Sequence, residues 1–344
     1  MMEGVMALAY PTPRVAQPTY GRDLLSSLPA GVLGRPLICT QDIPWRVVEQ
    51  NFPVGRSKVQ MVHSMERSVL LSQVESCNGC SSIVGVGGGQ ALDYAKFMAW
   101  QTGRPLILVP TILSVAAAFT KSIGIREDGQ VRYVGEVYPE HLLIDFEILQ
   151  TAPKILNRAG AADVLSIFTA LWDWREAGTR LGEEHDPGIA QEAQWLLERL
   201  FAAATDLRNV TDHGLRELAE LYKGKVLLCE MFGNSRPEVG SEHYFAYCHE
   251  SLTGRSFVHG QLVGLGVMLA GAYQEQSILQ VKEFLGALGL DCHPDGQWTS
   301  VDEVRRTLTT LKGYVNREEH LLPGVFHFRE AITDKMADHL ISLL

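Results

Sequence analysis

Two histidines and one aspartate in the second half of the chain have the chemistry of a metal site. Asp163 follows a Gly-Ala-Ala sequence, His243 follows Gly-Ser-Glu, and His259 precedes a glycine. One carboxylate and two imidazoles with an open fourth position suit a catalytic zinc or a similar divalent ion. Spacing alone leaves another interpretation open, because the chain has 11 histidines and packed histidines are common.

A run of glycines in the first half has the chemistry of a phosphate site. An apolar stretch with Val84 and Val86 leads into Gly87, Gly88 and Gly89, and a helical pattern follows. Residues without a Cβ let backbone amides approach an anion at the positive end of a helix. We interpret the stretch as strand, pyrophosphate-binding loop and helix, although three glycines are also compatible with a simple tight turn.

The predicted helix after the glycines carries two opposite charges, Asp93 and Lys96. Residues three apart lie on the same face of a helix. We therefore expect these two side chains to pair with each other or with a bound ligand.

Strands and helices alternate through the first half, which predicts a parallel sheet covered by helices. The predicted strands span residues 34–40, 58–63, 81–87, 105–110, 131–134 and 141–145, and the predicted helices include 45–52 and 68–77. Residues 1–20 are rich in proline, which suggests an extended segment that pairs at a sheet edge. Asp128 and Gly129 predict a turn before the fifth strand.

Long helical periods replace this alternation after Pro153. They span residues 155–178, 187–207, 214–232, 241–253, 261–286 and 301–311. We therefore predict an α/β, Rossmann-like dinucleotide-binding domain over residues 1–151, followed by an all-helical metal- and substrate-binding domain over residues 152–344.

Composition narrows the class of partner. The chain has 30 basic and 40 acidic residues, a net charge of −10, which disfavours nucleic acids and anionic membrane surfaces and favours a small molecule. The most apolar window is interrupted by Pro110, so no membrane insertion and a cytoplasmic location are expected. Six cysteines in so long a chain predict reduced thiols rather than a disulfide framework.

Four segments of the chain resemble motifs of one known superfamily. They are 85–96 around the glycines, 109–114 (Val-Pro-Thr-Ile-Leu-Ser), 152–174 and 235–250. From about residue 36 to residue 274 the chain resembles the dehydroquinate synthases and iron-containing alcohol dehydrogenases. Within that superfamily it is most similar to the sn-glycerol-1-phosphate dehydrogenases, because the last two segments are peculiar to that branch.

The resemblance implies a dehydroquinate synthase-like fold with two cofactors, NAD(P) and one divalent metal ion. Zinc is the expected metal, and nickel or iron are the alternatives. The implied metal ligands and catalytic residues are Asp163, His243 and His259. The implied cofactor-binding residues are Asp42, Gly87, Gly88, Gly89, Asp93, Lys96, Thr111 and Ser114. Tyr247 stands where iron alcohol dehydrogenases have another histidine, which favours a three-ligand site.

The implied reaction interconverts a small ketone and its alcohol, dihydroxyacetone phosphate and sn-glycerol 1-phosphate in this branch. Lys121 and Arg236 are candidate anchors for the substrate phosphate, and solvated surface charge is the alternative. Where the branch has substrate-binding aspartates, this chain has Val115 followed by the alanines 116–118. That departure leaves the substrate open, and Gln41 before Asp42 leaves the choice between NAD and NADP open.

Two other functions stay compatible with the sequence. One is a cyclase or lyase that uses NAD transiently, although Asp163 replaces the glutamate of the dehydroquinate synthases and favours a dehydrogenase. The other is a cofactor-binding protein without catalysis. His249 is either a proton relay near the site or a packed side chain, and a homo-oligomer is expected.

Overall fold

The first half of the chain is organised around a parallel sheet. A computed structural model of the protein describes residues 15–52, 57–127, 130–318 and 320–344. Its strands are β1 Pro18–Gly21, β2 Pro36–Thr40, β3 Lys58–Met61, β4 Ser82–Gly87, β5 Leu106–Pro110, β6 Ser122–Glu127, β7 Gln130–Glu136 and β8 His141–Asp145. Six of them form one sheet in the order β1-β8-β5-β4-β2-β3, in which every neighbouring pair is parallel.

The central strands are buried on both faces because their side chains alternate between two apolar clusters. Val84 and Val86 of β4 lie in one cluster, together with Ile107 of β5. Ile83 and Leu108 lie in the other. This period of two is what a sheet with helices on both sides requires, and it confirms the predicted α/β class.

The strand order places a crevice beside the glycine run. After β2 and β3 the chain returns to β4 on the other side of β2, and β5 and β8 then extend the sheet away from β2. Ligands of open α/β sheets bind where the strand order reverses, at the carboxyl ends of the strands. Gly87 is the last residue of β4, so the glycine run lies at this switch point.

The sheet edge and the small hairpin test two sequence predictions. The expected edge pairing of the first segment is confirmed at Pro18–Gly21, which pairs with β8, whereas residues 1–14 and the predicted turn at 128–129 lie outside the described residues. The segment around residues 131–134 is a strand but not part of the main sheet. It pairs antiparallel with β6, which the sequence prediction missed although Ile123 and Ile125 alternate.

The second half of the chain is helical, as predicted. The helices of the described chain are α1 Leu24–Ser27, α2 Ala30–Leu33, α3 Asp42–Val48, α4 Arg67–Gln73, α5 Gly89–Thr102, α6 Phe146–Thr151, α7 Lys154–Val164, α8 Ile167–Leu181, α9 Pro187–Ala202, α10 Ala204–Asn209, α11 Asp212–Phe232, α12 Ser241–Thr253, α13 His259–Tyr273, α14 Leu279–Leu288, α15 Val301–Arg317, α16 Val325–Phe328 and α17 Asp334–Ser342.

Three predicted long helices are each divided in the structure. The helix expected over residues 155–178 turns between α7 and α8, where the Ser166 hydroxyl donates to the Glu238 carbonyl. The one expected over 261–286 ends at Tyr273, and Glu275 beyond it has a φ of 64°, which no regular helix contains. The period of 3.6 continues through such breaks, so it does not reveal them.

Glycines bring three helices of this half unusually close together. A Cβ at Gly260 of α13 would lie 1.7 Å from the Ala159 carbonyl oxygen of α7, and one at Gly266 would lie 2.5 Å from the Glu242 carbonyl oxygen of α12. No side chain fits into such gaps. Glycine at these positions therefore sets the spacing of α7, α12 and α13.

Contacts also join the two halves of the chain. The amide of Leu113, after β5, donates to Oδ1 of the buried Asn157 on α7 at 2.9 Å. Near the sheet edge, Tyr20 donates to Glu220 at 2.5 Å. No helix in the described part of the chain is long and apolar enough to cross a membrane.

The spacing of α7 and α13 gives a stability prediction. Gly260→Ala is expected to destabilise the protein by about 3 kcal/mol or more, because its methyl group must push α13 away from the α7 backbone. Gly286→Ala in α14 is the control, since a Cβ there meets nothing within 4 Å, and helix propensity predicts a gain of up to about 1 kcal/mol. Urea unfolding measures both, and equal stabilities of Gly260→Ala and the wild type would contradict the packing argument.

Candidate metal and cofactor site

Asp163, His243 and His259 converge in the structure. Asp163 lies at the end of α7, His243 in the first turn of α12, and His259 at the first residue of α13. Nε2 of each histidine is 3.4 Å from Oδ1 of Asp163, and one ligand atom from each residue lies within 4.8 Å of the others. The closely packed helices thus bring together residues up to 96 positions apart in sequence.

His243 of this cluster is oriented by a buried carboxylate. Its Nδ1 is 2.7 Å from Oε1 of Glu242, which leaves Nε2 facing Asp163. Burial lowers the pKa of His243, but hydrogen bonds with Asp163 and Glu242 outweigh it and raise the pKa to about 9. A proton is thus favoured on this imidazole when two carboxylates are its only neighbouring charges.

The carboxylate ligand is held from its other side by a lysine. Nζ of Lys225 lies 3.4 Å from Oδ2 of Asp163 and 3.4 Å from Oε2 of Glu238. Burial by itself would raise the pKa of Asp163, but Lys225 and the two histidines hold that pKa well below its ordinary value. Asp163 is therefore an anion with Oδ1 directed at the histidines.

The cluster opens to solvent on one side. The side chains of Asp163 and His243 are about 6% exposed, whereas that of His259 is 31% exposed. The Tyr247 ring lies 5.9 Å from the His243 ring, and the described metal-ligating group contains only Asp163 and the two histidines. These three residues are thus the candidate ligand group in the described part of the chain, with access beside His259.

These residues fit a divalent metal ion. Ligand atoms at about 2.0 to 2.1 Å from a tetrahedral ion are roughly 3.3 Å apart, and the two distances from Oδ1 of Asp163 are 3.4 Å. The donor set is one anionic carboxylate and two imidazoles, one of which donates to a carboxylate. Carboxylate–histidine pairs of this kind accompany metal-ligating histidines.

The glycine run has the geometry of an anion site. Gly87 has a φ of 147°, which favours glycine; Gly88 is the N-cap of α5, and Gly89 is its first residue. A Cβ at Gly88 would lie 3.0 Å from Cδ1 of Ile112 and one at Gly89 3.0 Å from Cγ2 of Val115. The first amides of a helix have no partner within that helix, so α5 presents donors at the switch point and the residues fit a dinucleotide pyrophosphate.

The other predicted cofactor contacts surround this loop. Asp42 is exposed at the start of α3, two residues after the end of β2, where a ribose-binding acid is expected in such folds. The buried Thr111 donates its amide to the Gly87 carbonyl at 3.0 Å. Ser114 follows Leu113, whose carbonyl oxygen would be 1.8 Å from a Cβ at Gly160. Gly160 lies one turn before Asp163, so the segment 109–114 contacts α7, the helix that carries Asp163.

The structure corrects the cofactor role of Lys96. Lys96 is completely buried and forms the expected pair with Asp93, at 2.6 Å. Its ammonium group also donates to the carbonyls of Thr120 and Ser122. Two carbonyls and one carboxylate of the protein thus surround this ammonium group. Lys96 therefore joins β6 to α5, and Asp93, whose side chain is 19% exposed, is the member of the pair that reaches toward solvent.

Of the two predicted phosphate anchors, Arg236 is corrected, whereas Lys121 is paired with two carboxylates. Arg236 is fully buried, and its guanidinium donates to both carboxylate oxygens of Glu183 and to the Pro323 carbonyl. Nζ of Lys121 lies 2.9 Å from Glu230 and 3.2 Å from Glu136. Arg236 is thus a structural residue, and two carboxylates neutralise the charge of Lys121.

His249 is a packed side chain, which was one of the two interpretations of the sequence. It is fully buried between the hydroxyls of Thr307 and Thr299, at 2.8 and 2.9 Å. Burial lowers its pKa to about 4. A histidine held neutral in this way connects α12 to α15 and has no contact with the ligand cluster among its hydrogen bonds.

Sequence reasoning missed the residues behind the ligands. Glu242, Thr169 and Lys225 are all buried, and the sequence analysis assigned a role to none of them. Only Glu242 carried a signal, because a carboxylate directly before a candidate ligand is a natural hydrogen-bond partner. The positions of Thr169 and Lys225 depend on how α8 and α11 pack, which no local pattern shows.

Solved structures share the whole fold. A maleylacetate reductase from Agrobacterium tumefaciens superposes with a TM-score of 0.70 and 16% identity, covering 99% of this chain and 98% of the other. A sulfoacetaldehyde reductase from Bifidobacterium kashiwanohense in complex with NAD+ gives a TM-score of 0.69 and 16% identity, covering 97% and 98%. Such identities establish the fold alone, and they confirm the predicted dehydroquinate synthase-like architecture.

Sequence relatives identify the branch. Residues 39–153 match the model of the iron-containing alcohol dehydrogenase family. A glycerol-1-phosphate dehydrogenase (NAD(P)+) of Hyperthermus butylicus is 32% identical over 248 residues, 71% of this chain and 70% of that protein. One of Pyrobaculum neutrophilum is 32% identical over 239 residues, 68% and 70%. The resemblance seen in the sequence motifs is confirmed, and the chain belongs to the glycerol-1-phosphate dehydrogenase family.

Proposed function

We propose that the protein is a metal-dependent, NAD(P)-linked dehydrogenase. It interconverts a small phosphorylated ketone and its alcohol, most like dihydroxyacetone phosphate and sn-glycerol 1-phosphate. The observation that carries the proposal is the position of the cluster of Asp163, His243 and His259. The helix that carries Asp163 contacts the segment after β5, because Gly160 of α7 packs against the carbonyl of Leu113. The relatives named glycerol-1-phosphate dehydrogenase (NAD(P)+) support the substrate class.

Different residues of this chain have different roles in the proposed reaction. When bound, the divalent ion supplies Lewis-acid chemistry to the substrate oxygen, and the nicotinamide accepts or supplies hydride. Asp163, His243 and His259 hold the ion, and the partial exposure of His259 leaves an approach for the substrate. The amides that follow Gly88 would bind the pyrophosphate, and Thr111 and Ser114 would contact the nicotinamide half.

The remaining assignments extend the proposal. Asp42 contacts the ribose, and Asp93 steadies the loop from the exposed edge of α5. Zinc is the proposed metal. The proposed domain boundary between residues 151 and 152 is supported by the end of α6 at Thr151. All six cysteines are free, as expected. The cytoplasmic location and the homo-oligomer stay predictions.

Metal content tests the ligand set. The purified protein is expected to hold about one divalent ion per chain, and His259→Ala is expected to lose most of it because two ligands with an open side bind such ions weakly. Elemental analysis after gel filtration measures both. His293→Ala, at an exposed position, is the control and should keep its metal; equal metal in His259→Ala and the wild type would remove His259 from the site.

Dinucleotide binding tests the glycine loop. Gly88→Val is expected to weaken NADH binding at least about tenfold, because the side chain crowds Ile112 and displaces the phosphate from the amides of α5. Fluorescence titration of NADH measures the affinity, and circular dichroism checks the fold. Gly286→Val is the matched control, in a helix with open space around it. Unchanged affinity in a folded Gly88→Val would disprove the loop assignment.

Substrate preference tests the reaction class. The phosphorylated substrate of each pair is expected to have the higher kcat/KM, by at least about tenfold, or roughly 1.4 kcal/mol. The pairs are dihydroxyacetone phosphate with dihydroxyacetone, and glycerol 1-phosphate with glycerol. The alanines 116–118 offer free glycerol no charged acceptor. NADH absorbance measures the rates.

Variants of Lys121 refine that test. Because Glu136 and Glu230 already neutralise Lys121, Lys121→Met is expected to change the preference for the phosphorylated ketone by less than about threefold. Comparable rates with and without the phosphate in the wild type would move the protein toward general alcohol dehydrogenases. Retained NADH without net turnover of any of these substrates would favour transient use of the cofactor.

A further inference from the structure

Glu242 is a buried carboxylate next to a metal ligand. It is fully buried, and its Oε1 lies 2.7 Å from Nδ1 of His243 and 2.7 Å from the amide nitrogen of Gly240. Its Oε2 accepts a hydrogen bond from the Thr169 hydroxyl. Burying an ionised carboxylate is costly unless it is paired and hydrogen-bonded. Its salt-bridge partner in the described part of the chain is His243.

We infer that Glu242 is a positioning residue that orients His243 and strengthens it as a metal ligand, an inference that rests on the proposed metal-dependent function. The carboxylate keeps a proton on Nδ1, so Nε2, which lies 3.4 Å from Oδ1 of Asp163, is the nitrogen left to bind a metal ion. A carboxylate that accepts from one imidazole nitrogen also raises the basicity of the other.

The structure fixes Glu242 from three sides, which makes this orientation rigid. Thr169 belongs to α8, and Gly240 is the N-cap of α12. The backbone of Glu242 packs against Gly266 of α13, because a Cβ at Gly266 would lie 2.5 Å from the Glu242 carbonyl oxygen. Asp163 is also held from outside the cluster, because Nζ of Lys225 lies 3.4 Å from its Oδ2.

A purely structural role is the alternative, because Glu242 also bonds the amide of Gly240 at the start of α12. Glutamine separates the two roles. Its amide oxygen would accept from Gly240 and His243, and its NH₂ group would donate to Thr169, whose hydroxyl has the Ser166 carbonyl at 3.2 Å as its own acceptor. Glu242→Gln therefore keeps the shape and the hydrogen bonds and removes only the charge.

The experiment compares Zn²⁺ affinity in wild type and Glu242→Gln by competition with a chromophoric chelator. We expect the variant to bind Zn²⁺ about 10- to 100-fold more weakly. The melting temperature of the metal-free protein is expected not to fall and the affinity for NADH to stay the same, whereas a structural role would lower the melting temperature. Glu250→Gln, the same substitution later on α12, is the control and should bind Zn²⁺ like the wild type.

Three outcomes separate this inference from the proposed function. Equal Zn²⁺ affinity in wild type and Glu242→Gln overturns the inference while the proposed function stands. A wild type that binds no stoichiometric Zn²⁺ overturns the proposed function itself. If Glu242→Gln does not fold, Thr169→Val removes one hydrogen bond from Oε2 and is expected to weaken Zn²⁺ binding about three- to tenfold; unchanged affinity there overturns the inference.

Discussion

The candidate site depends on how closely α7 and α13 approach each other. The backbone of Ala159 lies where a side chain at Gly260 would be. The carbonyl of Leu113 lies where a side chain at Gly160 would be. One turn of α7 therefore touches both α13 and the segment after β5. This contact sets the distance from His259 to Asp163 and also the distance from the metal ligands to the cofactor loop. Packed backbones leave little freedom for adjustment, because interiors are as dense as organic crystals.

Close packing of these helices also buries charge, which constrains what the site can hold. Asp163, Glu242 and Glu238 carry three negative charges, and Lys225 balances one of them. A divalent ion would supply the two positive charges that are missing. When no ion is bound, the same carboxylates favour a proton on His243, whose pKa is raised. Buried carboxylates of this kind destabilise a fold unless a cation compensates them, so the electrostatics and the ligand geometry favour the same occupant.

The sequence predicted the elements of the fold better than their limits. The central strands and the helix Ser241–Thr253 were predicted because hydrophobic period and terminal glycines act locally. The break after Tyr273 and the separate β6–β7 hairpin were not, because tertiary contacts decide them. The cluster of Asp163, His243 and His259 was recognised through motif resemblance, whereas Lys225 was missed because Asp163, which it contacts, belongs to another helix. Residue chemistry identifies a ligand, but only packing identifies what holds it.

Arg236 shows why a charge inside a specific motif is a weak guide to substrate binding. Its guanidinium connects Glu183 after α8 with the Pro323 carbonyl before α16. The next residues of that segment reach the same region, since the amide of Val325 donates to Asp173, which also accepts from the Ser241 amide at the start of α12. The motif that contains Arg236 and His243 thus secures the first turn of the ligand helix from outside. A buried arginine is suited to this structural role because its planar group satisfies two partners at once.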